Sequence, residues 1–282
     1  MWLLVLVSFI WAFSFGLIKG RLAGLDSAFI AAARLGFALL VFLPFLRLRG
    51  LTMRTALALN TIGAVQFGLM YLAYNESFRH LRAHEVALFT ITTPILVTLF
   101  ADALERTLRL RALLAALLAV IATVPVALKS TDVRLTLAGI ALVQLSNAAF
   151  AAGQVLYKRL CARQPGFRAR EVFGLLYGGA FVVTLAAFLS RASPAPVVVT
   201  PAQLWTLAYL GVLASGFGFF LWNVGATRVG AGTLAVMNNA KIPLAVACSL
   251  IFFGERADLP WLLTSLALLG AAVFLAKSEE AP

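Results

Sequence analysis

Asn238, Asn239 and Lys241, with Pro243 two residues on, interrupt the otherwise apolar stretch from Gly232 to Arg256. If that stretch crosses a bilayer, an ammonium at its centre costs about 2.5 to 3.5 kcal/mol and must face a partner or a wet cavity. Pro243 cannot donate to the carbonyl of Asn239, so an acceptor is left free within the same turn. Asn238, Lys241 and Cys248 share one helical face. This pattern suits a solute-binding wall that attracts an anion. The competing reading, a lysine snorkelling from a helix end, is weakened by the distance of Lys241 from both ends of the stretch.

Arg34, inside AAARLGFALL, is the other cation expected at membrane depth. It lies near the outer end of its span, so pairing or snorkelling there competes with a solute role. Amide and aromatic polar groups recur in other apolar stretches: Gln66, Tyr71, Tyr74 and Asn75; Gln144, Ser146, Asn147, Gln154 and Tyr157; Ser215, Trp222 and Asn223. Several amides around one cavity could serve a solute rich in N–H and C=O groups. Hydrogen bonding from helix to helix stands open beside that reading for each of them. Trp11, Phe13 and Phe15 could stack on a ring or only pack. Glu85 starts an apolar stretch, where a carboxylate caps the helix dipole or, alternatively, couples transport to protons. Glu76 ends another stretch on the same outer side. His80 and His84 share a loop without a nucleophile or further ligands at metal spacing, so neither a catalytic nor a metal site is expected.

The elements that must hold these groups follow from composition. Hydrophobic residues make up 62% of 282 positions and charged ones 12%, too apolar for a soluble globule. Ten apolar stretches can be placed: Trp2–Ile18, Ser27–Leu46, Thr55–Ala73, Glu85–Leu104, Leu110–Leu128, Leu135–Tyr157, Val172–Ser190, Gln203–Asn223, Gly232–Phe253 and Leu259–Ala276. Each is long enough to cross a hydrocarbon core about 30 Å thick. An all-α membrane protein of ten transmembrane helices is therefore expected. Nothing is left over for a nucleotide-binding cassette, so transport would draw on gradients.

The formal net charge of +12 would suggest a nucleic-acid partner in a soluble chain. Here the basic residues flank the spans and act as topology signals, so no nucleic acid is expected. Lys and Arg in the connections around Arg47 to Arg54, Arg106 to Arg111, Lys158 to Arg170, Arg228 and Lys277 outnumber those on the other side, which places both termini in the cytoplasm. Cys161, expected in a loop, and Cys248, inside a span, imply no disulfide. Lys19 and Arg21 follow the first stretch and no basic segment precedes it, so it reads as a retained helix rather than a signal peptide.

Landmarks also repeat. Gly63, Tyr74-Asn75, Pro94 and Glu105-Arg106 recur in the same order and at nearly constant separation as Gly211, Trp222-Asn223, Pro243 and Glu255-Arg256. They divide the chain into two repeats, 1–130 and 131–282. Five spans in each invert one repeat relative to the other, with a midplane site between them. Aligning the prolines sets Thr90 against Asn239 and Thr92 against Lys241, so the cation belongs to one half alone. Glycines at 174, 178, 179, 211, 216 and 218 are assigned to close helix packing.

The opening WAFSFGLIK, the second-span arginine followed by LVFLPFLR, and the prolines of the fourth and ninth spans resemble the drug/metabolite transporter superfamily in its EamA branch, over the whole chain. Segments such as LVQLSN and the WN-x-GAT…AGTL-x2-MNN block are similar to biotin-uptake carriers of the carboxylate/amino acid/amine transporter group. That likeness implies a bacterial inner-membrane, multi-pass secondary carrier, not an enzyme, importing biotin without a cofactor. Its partners would be a small carboxylate-bearing solute and the lipid bilayer, with the oligomeric state open. Biotin's carboxylate suits Lys241 or Arg34, and its ureido group suits the amides. Lys241 departs from the likeness, which implies a histidine there. The alternative is an EamA-type exporter of amino acids or related metabolites.

Overall fold

The computed structural model describes the chain except residues 23, 82, 128–135, 165, 167, 192–196, 253–258 and 278–282. Within the helices, the side chains at 13–20, 83–84, 87, 125–127, 245–252, 259 and 261 also lie outside the description, among them Phe13, Phe15, Lys19, His84 and Cys248. The Glu255-Arg256 landmark lies outside it too.

All regular structure among the described residues is helical. In chain order the elements are α1 (Trp2–Arg21), α2 (Ser27–Phe42), α3 (Met53–Gly63), α4 (Met70–Ser77), α5 (Ala83–Thr90), α6 (Thr93–Glu105), α7 (Leu110–Ala127), α8 (Leu137–Ala162), α9 (Ala169–Ser190), α10 (Pro201–Tyr209), α11 (Gly218–Ala226), α12 (Ala231–Phe252) and α13 (Leu259–Lys277). A π-helical segment, Ala64–Leu69, joins α3 to α4, and a second, Leu210–Phe217, joins α10 to α11. Both rods run on without a break. Among the described residues, six stretches are long and apolar enough to cross a membrane: Ser27–Phe45, Met53–Ser77, Leu88–Glu105, Leu137–Ala162, Ala169–Ser190 and Pro201–Ala226. Trp2–Ala12, Leu110–Val124 and Leu262–Lys277 are shorter apolar helices.

Local sequence explains the helix ends. Asp26 accepts from the backbone N–H groups of Ala28 and Phe29 and so caps α2. Thr200 and Gln203 form a reciprocal capping box at the start of α10, with Pro201 in the first helical position. Cys161, expected in a loop, falls instead in the last turn of α8. The helix carries on through YKRLC because Lys158 and Arg159 are well placed near its negative C-terminal dipole.

Packing is close where glycine removes the Cβ. A Cβ on Gly63 would lie 1.9 Å from the backbone oxygen of Leu176, and one on Gly179 would lie 2.0 Å from that of Asn60. The α3 and α9 backbones therefore touch, as the small-residue reading expected. The centre is aromatic: Phe67 stacks on Phe219 with centroids 4.5 Å apart, and Phe173, Tyr177 and Trp222 are fully buried around them. The rod α3–α4 packs on α8 and α9, α10–α11 packs on α1 and α2, α1 packs on α12, and α8 packs on α6.

Candidate functional site

One cavity gathers side chains from both halves of the chain. Its empty space is about 710 Å³ including the part open to the outside. Trp11 comes from α1, Arg34 from α2, Met70, Tyr71 and Tyr74 from α4, and Thr90 from α5. The second half contributes Ser146, Asn147 and Phe150 from α8, Ala214 from the second π segment, Phe219 from α11 and Lys241 from α12.

The π segments position this wall. A π turn loosens the regular backbone ladder and leaves carbonyls open to outside donors. In Leu210–Phe217 those carbonyls are taken by two aromatic side chains. Trp11 Nε1 donates to the Ala214 carbonyl at 2.9 Å, and the Tyr177 hydroxyl donates to the carbonyls of Ser215 and Gly216 at 2.8 and 2.5 Å. Trp11 is thereby held against Phe219, Phe150 and Trp222, with centroids 5.4, 6.1 and 4.9 Å away. The result is an apolar aromatic wall that can pack on a ring.

Two cations face that wall. Lys241 Nζ sits 5.5 Å from the centre of the Trp11 ring, and among the described residues the ammonium has no hydrogen bond or ion pair. Arg34 is 4% exposed and lies 4.4 Å over the Tyr71 ring. It donates through Nη2 to the Tyr71 hydroxyl at 2.5 Å and through Nε to Ser215 Oγ at 3.3 Å. Tyr71 and Ser215 are 3.0 Å apart, which closes a triangle around the guanidinium. Among the described residues no carboxylate lines the cavity. A bound anion would supply the missing counter-charge.

Of the residues expected at the site, Lys241, Arg34, Tyr71 and Asn147 meet in this cavity. The amides, Asn147 included, are engaged with protein. Between α5 and α6 the chain turns at Ile91 and Thr92, and the carbonyls freed there are met from neighbouring helices. Gln144 Nε2 and Asn147 Nδ2 donate to the Phe89 carbonyl at 3.2 and 2.9 Å, and Asn239 Nδ2 donates to the Ile91 carbonyl at 2.8 Å. Asn239 also reaches the Ala119 carbonyl and Thr123 Oγ1 on α7. Trp222 Nε1 donates to Gln154 Oε1 at 2.8 Å, and Gln154 Nε2 donates to Asn238 Oδ1 at 3.4 Å. Gln66 Nε2 donates to Asn223 Oδ1 at 3.1 Å, and Asn75 Nδ2 to the Ser27 carbonyl at 3.1 Å. Glu85 is fully buried in the first turn of α5, engaged in a contact, and is not part of the cavity lining. Phe150, Phe219, Met70 and Ala214 line the cavity without having been singled out. Apolar residues in an apolar helix carry no contrast, so only their spacing from Trp222 and Asn147 could have pointed to them.

Comparison with known proteins agrees with this architecture. A probable biotin transporter from Pseudomonas aeruginosa is 43% identical over 275 residues, covering 97% of this chain and 94% of that protein. Biotin transporters from Escherichia coli K12 and Salmonella typhimurium are 39% and 38% identical, each covering 99% of this chain and 94% of the relative. A solved crystal structure superposes with a TM-score of 0.75 at 19% identity, over 97% of this chain and 98% of the other, a likeness of fold alone. The EamA-like transporter family matches residues 1–128 and again 137–276. With its helices, its cavity and these matches in both halves, the chain belongs to the EamA-like transporter family of membrane proteins.

Proposed function

We propose that this protein is a secondary carrier of the bacterial inner membrane that imports biotin by alternating access. The observation that carries the reading is Lys241, a cation without a counter-ion among the described residues, poised over Trp11 at a cavity that no described carboxylate lines. A carboxylate on a short aliphatic chain would reach Lys241 or Arg34, while the fused rings lie against Trp11, Phe150 and Phe219. Asn147, Ser146, Thr90 and Tyr74 would supply donors and acceptors to the ureido group. The names of the relatives in three bacteria favour biotin among carboxylate-bearing solutes.

Alternating access would proceed by motion of two inverted five-helix repeats, 1–130 and 131–282, in a ten-span bundle with both termini in the cytoplasm. The separate family matches to the two halves support it, as do the two π segments at corresponding places and the pairing of α1 on α12 with that of α8 on α6. Importing a monoanion against a negative-inside potential costs about 2.3 kcal/mol per charge per 100 mV, so the carrier needs a compensating positive charge, which a co-transported proton would supply. Glu85 is our candidate for that coupling group.

Uptake of radiolabelled biotin by cells lacking their own carrier tests the reading, with wild type or Lys241→Met expressed and with or without a protonophore. Accumulation by the wild type alone, abolished by the protonophore, is the expected result. No accumulation at normal expression would sink biotin import and turn attention to amino-acid efflux.

A further inference from the structure

A second concavity, away from the solute cavity, opens between α3 and α8, with an empty space of about 920 Å³ including its open side. Its two ends differ in character. At one end stand Arg54, Arg159 and Arg163; beyond them the lining is apolar and includes Leu57, Val65 and Leu156. Gln164 Nε2 donates to Thr55 Oγ1 at 3.1 Å, joining the residues just after α8 to the start of α3. The two helices therefore run antiparallel, and their basic ends coincide. Leu57, Thr61 and Val65 succeed one another at four-residue steps along α3, so the apolar strip leads from the arginines along the helix.

The arginines have donors to spare. Arg54 and Arg163 are exposed, and among the described residues neither side chain has a hydrogen bond or ion pair. Arg159 uses Nη1 on the Leu104 carbonyl at 2.7 Å, leaving the rest of its guanidinium fork. Among the described residues no carboxylate lines the groove. Three guanidinium groups at the mouth of an apolar groove match a phosphodiester attached to an acyl chain. A free phosphate would use the arginines but not the groove.

We propose that the α3–α8 groove binds an anionic phospholipid, its phosphate on Arg54, Arg159 and Arg163 and its acyl chain along Leu57, Val65 and Leu156. This extends beyond the carrier reading and does not depend on which solute is moved. With the orientation proposed above, the arginines lie in the cytoplasmic leaflet, where anionic lipid attracts basic residues.

The test is lipid binding to the purified full-length protein in neutral detergent, read by native mass spectrometry with phosphatidylglycerol and phosphatidylcholine of identical chains. Phosphatidylglycerol should be retained over phosphatidylcholine. Arg54→Gln and Arg163→Gln should each lower its affinity about fivefold, with an unchanged melting temperature because neither side chain makes a hydrogen bond or ion pair among the described residues. Arg47→Gln with Arg49→Gln, exposed charges outside the groove, should leave it unchanged. Glycerol 3-phosphate should fail to displace the lipid at equal concentration. Equal retention of the two lipids overturns the proposal, as does indifference to the Arg54 and Arg163 substitutions, an equal loss with the Arg47 and Arg49 pair, or displacement by glycerol 3-phosphate.

Discussion

The α5–α6 pair and α12 carry the same proline at aligned positions, Pro94 and Pro243, yet behave differently. Pro94 opens α6, in a position where its missing N–H removes no helical bond, and the chain turns just before it at Ile91 and Thr92. Pro243 sits inside an unbroken α12. The difference lies in the neighbours. Phe89 and Ile91 can expose their carbonyls because Gln144, Asn147 and Asn239 arrive to meet them. Irregular backbone at membrane depth survives only where protein satisfies it. Asn239, the counterpart of Thr90 by proline alignment, thus serves the break in the other half. Its near neighbour Lys241 faces the cavity instead. One region is a structural joint held by amides, and the other brings a charge to the cavity wall.

Substitutions can break that division of labour. The largest expected effect on binding is that of Lys241→Met, which removes a charged partner of the solute and should weaken biotin binding about tenfold to a hundredfold. Because an unpaired, half-buried ammonium within an apolar helix is also removed, the same variant should melt at a higher temperature. A loss of both binding and stability would assign Lys241 to the fold. Asn239→Leu should act in the opposite sense. It strands the Ile91 carbonyl and should cost about 1 to 3 kcal/mol in a thermal-shift or denaturant assay, leaving the biotin Kd within about twofold.

Tyr71→Phe sharpens the cavity side of the comparison. Removing the hydroxyl takes from Arg34 the partner of its Nη2 and leaves only Ser215 on Nε to orient the guanidinium, so binding by isothermal calorimetry should weaken about fivefold, equivalent to one hydrogen bond. The smallest effect is expected at the prolines' less demanding position. Pro94→Ala should change stability by less than about 1 kcal/mol, since the position at the head of α6 needs no donor. A large loss there would mean that the proline itself, rather than its amide neighbours, maintains the turn.

Legibility from sequence divides along the same line. Lys241 stood out because an ammonium in an apolar run is costly wherever the helix is placed, and Arg34 stood out for the same reason. The amides were legible as needing partners but not as to which ones. Asn239 and Gln144 look alike in sequence whether they meet a solute or a carbonyl, and the acceptors at Phe89 and Ile91 exist only once the chain turns between α5 and α6. Neither π segment was legible. Their residues, AVQFGL and LGVLASGF, read as ordinary apolar helix, and in the second of them the widened turn is maintained by the distant donors Trp11 and Tyr177.

The amino-acid sequence alone therefore determined a helical membrane chain with cations inside its apolar stretches, because apolar length and the cost of a charge in hydrocarbon are properties of local sequence. Only the tertiary structure decided which polar groups face the cavity and which hold the helices together. A hydrogen bond is settled by the position of its acceptor, and at the α5–α6 joint the donors and acceptors lie more than fifty positions apart in the chain, as with Asn147 and Phe89 or Asn239 and Ile91.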